Sequence, residues 1–130
     1  MTTVALSPDG PHSSDYTREV AQAVAEGIRV LNYATRDGED GLQWPSDVAS
    51  VAGEIRAAAE RLDQLTRQLG DYLAKQQSDG KLRVTHGPYK GHPEQAVAAA
   101  QASLDQALEA AHHLAQAWRA VHNTTSAISF

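Results

Sequence analysis

Residues 47–77 read DVASVAGEIRAAAERLDQLTRQLGDYLAKQQ, and the fold turns on this stretch. Val48, Val51, Ala52, Ile55, Ala58, Ala59, Leu62, Leu65, Leu69, Tyr72 and Leu73 recur at three- and four-residue intervals, the spacing that keeps one stripe of a helix apolar. A strand would alternate in twos, which this stretch does not. Arg56 and Glu60, Asp63 and Arg67, Arg67 and Asp71, and Asp71 and Lys75 stand four apart with opposite charge, the pattern of a solvated helix surface. Pro45 and Ser46 announce the helix, and Ser78-Asp79-Gly80 ends it.

Working outward, residues 93–122 repeat the pattern. Pro93 takes a favoured first-turn position, and Val97, Ala100, Leu104, Ala107, Leu108, Ala111, Leu114, Ala115, Trp118 and Val121 keep heptad spacing. Two helices of matched length joined by a loop should lie antiparallel, with the alanines of the later one admitting the large Leu and Ile side chains of the earlier one. Upstream, Tyr16, Val20, Val24, Ile28 and Leu31 predict a shorter helix over 15–36, capped by Ser14 or Asp15 and stopped by Asp37-Gly38 and Gly41. The expected fold is all-α: an antiparallel three-helix bundle dominated by a long Ala-rich, coiled-coil-like hairpin. The first helix would cover one side of that hairpin and leave an apolar seam open. Residues 1–13 and 123–130 carry no helical pattern and read as flexible tails of a single domain spanning 14–122, with Leu42 and Trp44 folding back as a lid on one end.

Composition sets the wider limits. The chain has 130 residues, enough for one domain of ordinary size. Its 23 Ala nearly equal the 24 Val, Ile, Leu and Phe combined, so any core is built from small side chains. Without cysteine, disulfides, thiolate metal sites and cysteine nucleophiles are excluded. Met1–Gly10 lacks the basic start and apolar run of a secretory signal, and the longest apolar run, Ala96–Ala100, is far short of the ~20 residues that span a bilayer. The expectation is a cytoplasmic protein with no membrane association.

Catalytic and metal signatures are sparse. His112 and His113 are adjacent and diverge by about 100° on a helix, and His122 lies farther along. His86 and His92 bracket the 78–92 connector without an obvious third ligand. Nucleophile motifs, phosphate-cradling glycine loops and the dinucleotide fingerprint are absent. The reading is therefore non-enzymatic, with no catalytic, cofactor-binding or metal-ligating residue and no cofactor. The net charge is −5, yet the connector SDGKLRVTHGPYKGH carries +2. Within it Lys81, Arg83, Tyr89 and Lys90 are the candidate partner-binding residues, cations interleaved with an aromatic ring in a loop longer than most helix connections.

Val30-Leu31-Asn32-Tyr33-Ala34-Thr35, Gly41-Leu42-Gln43, the Ala-rich helix with Leu65, Leu69 and Tyr72-Leu73, and His122-Asn123-Thr124-Thr125-Ser126 together resemble a group of small, uncharacterised helical proteins of Streptomyces and related actinomycetes. Such proteins are often encoded near the replication and transfer functions of conjugative plasmids or integrative elements. The resemblance implies a helical accessory protein of a mobile element and carries no activity with it. The first functional expectation is a helical interaction or assembly module that binds a protein partner or itself through the open seam. The alternatives are a nucleic-acid-associated accessory protein using the basic connector, and a small-molecule-binding bundle with a pocket near Tyr33, Trp44 and Trp118.

Overall fold

This computed structural model describes residues 3–130, in the helix order α1 (Ser14–Ala34), α2 (Pro45–Ser78) and α3 (Pro93–Thr125). Among the described residues there is no strand. Packing divides the chain into two compact units, one up to Gln43 and one from Trp44 to Phe130.

In the first unit, Ser13 and not Ser14 or Asp15 caps α1, its hydroxyl accepting the Tyr16 N–H. The tail expected to be loose is tied to the first turn of this helix. Tyr16 donates its hydroxyl to the Ala5 carbonyl and accepts the Ser7 N–H, while the His12 ring stacks on the Tyr16 ring at 6.0 Å. Met1 and Thr2 of that tail lie outside the described residues. At the other end the chain turns at Gly38 (φ +88°) and passes so close to the Ala34 carbonyl that a Cβ on Gly41 would collide with it. No residue of α1 is buried, and Val24, Ile28 and Val30 are exposed.

In the second unit α2 and α3 form an antiparallel hairpin, because cross-helix partners fall in one number series as they rise in the other: Glu60 with Arg119, Asp63 with His112, Gly70 with Gln101. The Asp47 carboxylate accepts the Trp44 N–H and fixes the start of α2. Helix α3 runs three residues past the expected end, carried by Thr125, whose hydroxyl donates to the Val121 carbonyl. The tail beyond is not free of structure, since Phe130 meets Trp44 edge-on at 5.8 Å.

The packing of this hairpin departs from expectation. The buried residues are Ala49, Ala52, Ala59 and Gly70 on α2 and Ala111 and Ala115 on α3. These most buried positions are all small, and over the glycines of α2 lie longer side chains of α3, Gln101 and Leu104 at Gly70 and His122 at Gly53; among the described residues no large side chain is fully buried. Short side chains let two backbones approach, and at Gly70 the approach is used: Gln101 Nε2 donates to the Gly70 carbonyl at 2.7 Å, and a Cβ on Gly70 would lie 2.8 Å from Gln101 Oε1.

Candidate docking face

The α2 residues turned toward α3 are Ala49, Ala52, Arg56, Ala59, Asp63, Thr66, Gly70 and Leu73, all buried or half-buried and all in one heptad register. One residue earlier at every step stands a second register: Val48, Val51, Ile55, Ala58, Leu62, Leu65, Leu69 and Tyr72. A shift of one residue rotates a side chain by about 100°, so this second stripe runs beside the seam. It holds most of the large apolar residues of α2: Val51 and Ile55 are half-buried, and Val48, Leu62, Leu65, Leu69 and Tyr72 are exposed, from 37% for Leu62 to 62% for Tyr72.

Helix α3 repeats the arrangement with smaller residues. Val97, Gln101, Leu104, Leu108, Ala111, Ala115, Trp118 and His122 face α2. One residue earlier come Ala100, Ser103, Ala107, Ala110, Leu114, Ala117 and Val121, where Leu114 is 44% exposed. The two outer stripes share one side of the hairpin. Glu60 and Arg119 each follow a seam residue and bond to one another at 3.0 Å, so followers from both helices meet on one side and preceding residues lie on the other.

The follower side is largely polar. It carries an open groove of about 830 Å³ whose walls include Glu60, Arg61, Asp63, His112 and Arg119, and the groove extends round α2 far enough to include Leu65. Arg119 hydrogen-bonds Glu60 and, with nearby Arg56, holds its carboxyl below the usual range. The Arg67 guanidinium, bonded at 2.8 Å, and then His112 do the same for Asp63, and Asp63 in turn raises Arg67. These carboxylates are ionised and engaged, the opposite of what a general acid needs. Among the described residues no three His, Asp or Glu side chains gather in a way that would hold a metal ion.

The connector residues singled out in the sequence lie on a loop closed by its own backbone. Gly91 donates to the Val84 carbonyl, His92 to Tyr89 and Lys90 to Gly87, with Gly80, Gly87 and Gly91 at positive φ. Lys81, Arg83, Tyr89 and Lys90 are exposed, and Arg83 Nη1 folds back to the Leu82 carbonyl at 3.1 Å. Residues 82–85 form no strand, although Leu82 and Val84 are half-buried. His86 pairs with Thr85 and His92 with Glu94. Of the aromatic residues once grouped as a pocket, Tyr33 is flanked by the guanidinium groups of Arg29 and Arg36, and Trp44 by Phe130.

The cross-helix partners Glu60, Asp63, His112 and Arg119 were not apparent from sequence. Glu60, His112 and Arg119 each stand one after a seam residue and Asp63 stands in the seam itself, which is visible only once the seam is known to run through the alanines. No described helix is long and apolar enough to cross a membrane. No protein-family model, curated protein or solved structure matches the chain.

Proposed function

We propose that this protein is a non-enzymatic helical interaction or assembly module, accessory to a mobile genetic element, whose working surface is the outer face of the α2–α3 hairpin. The observation that supports this reading is the division of labour within α2. Small residues are the most buried points of the intramolecular seam, while Val48, Leu62, Leu65, Leu69 and Tyr72 in the neighbouring register stay exposed. A helix that needed those side chains only for its own stability would turn them inward, since burying one large aliphatic chain contributes about 1.5–3 kcal/mol. A partner presenting an apolar helical face would fit such a surface. The neutralised carboxylates on the polar side agree with a structural task there.

The experiment is a binding assay with the full chain carrying Leu65→Glu or Leu69→Glu. Capture of the cognate partner should fall strongly with helix content unchanged by circular dichroism. Capture unaffected by both substitutions would overturn the reading.

A further inference from the structure

Resting on that reading, we propose that the occupant of the face is a second copy of this chain, joined about a two-fold axis parallel to the helices, so that the α2 stripe of each copy lies over the α3 stripe of the other. Three observations lead there. The first is size. From their exposed fractions and ordinary side-chain areas, Val48, Leu62, Leu65, Leu69, Tyr72, Leu114 and Val121 offer on the order of 600 Å², the size of a large monomer patch and somewhat below the ~800 Å² each partner gives a standard complex.

The second is shape. The α2 half of the face is large, with Ile55, Leu62, Leu65, Leu69 and Tyr72, and the α3 half is smaller, with Ala100, Ser103, Ala107, Ala110 and Ala117 and only Leu114 and Val121 as large residues. A two-fold axis along the helices sets the large half of each copy on the small half of the other, and leaves every neighbouring pair antiparallel. The face thus complements itself. An axis across the helices would instead stack large on large and small on small, leaving a gap along the α3 pair.

The third is charge. Neither stripe contains an ionised residue between Val48 and Tyr72 or between Ala100 and Val121. The cross-helix Glu60–Arg119 ion pair stands on the other side of the hairpin. Bringing two such faces together opposes no like charges and strands no ion.

The test is the mass of the full chain by sedimentation and light scattering across micromolar concentrations. The expected result is twice 13.9 kDa. Leu65→Glu and Leu69→Glu should each raise the dissociation constant at least about 30-fold with helix content retained, while Gln64→Glu, on the polar side, should leave it unchanged. Ala107→Leu reads the axis, because it fills the recess that receives the partner's α2. Weakening supports the arrangement, and strengthening overturns it in favour of the crossed axis. A monomer at every concentration overturns the proposal outright. In that case a polarity-sensitive naphthalene dye separates two failures. Dye binding that Leu65→Glu abolishes leaves the docking-module reading standing with a different occupant, whereas no dye binding shows the face covered within the chain and removes both.

Discussion

At the scale of single residues the hairpin depends on what is missing from its side chains. Ala59 and Ala52 are almost completely inaccessible. Ala59→Leu is expected to lower stability by about 1–3 kcal/mol, seen as an earlier urea midpoint, because an overpacked seam must spread. The same change at Ala58, one step round the helix and exposed, should cost little. In the first unit Tyr16 joins Ala5 and Ser7 through one oxygen. Tyr16→Phe should therefore speed amide exchange at Ser7, which loses its acceptor, while the α1 amides beyond Tyr16 keep their protection.

At the scale of elements, the cross-helix pairs give the hairpin a pH dependence. Glu60 and Asp63 have folded pKa values below their ordinary ones. Their contribution is whole above the unfolded carboxylate range and disappears as the pH falls through the lowered values. Unfolding midpoints measured from neutral pH into acid should decline in that range, and Asp63→Asn should flatten the decline. Replacing Lys81, Arg83 and Lys90 together with Glu should leave the midpoint unchanged, since the loop holds itself by backbone bonds. A low-salt DNA titration of the native chain measures the nucleic-acid alternative directly.

How much of this was legible follows from the same elements. Helix identity was, because three- and four-residue spacing admits no other structure over thirty residues. The ends of α2 and α3 were legible to within a few residues, with Thr125 missed because a hydroxyl returned to its own helix carries no apolar signal. Which stripe faces inward was not. Val51-Ala52, Ala58-Ala59 and Tyr72-Leu73 place members of both registers side by side, so periodicity marks one broad band and hydrophobicity ranks the Leu residues first. The choice of the alanine register reflects how closely two backbones can approach, a property of the pair and not of either helix. The ion pairs, fixed by that choice, were hidden with it.

At the scale of the whole molecule, the chain carries a formal charge of −5, and two copies in contact repel one another at long range. Added salt screens that repulsion without weakening apolar contact. The dissociation constant is therefore expected to fall as salt rises from millimolar to physiological strength, measured by sedimentation. A dimer held by surface ion pairs would respond in the opposite sense. The alanine seam carries a further consequence for how this protein can change over generations. The most buried points of that joint are methyl groups, which leave little room for added bulk, and they do not rely on the bulky residues in the register beside them. Substitutions among those residues alter which surfaces the molecule recognises while leaving its hinge-like closure intact, so lineages are free to acquire new associates before they risk losing their fold.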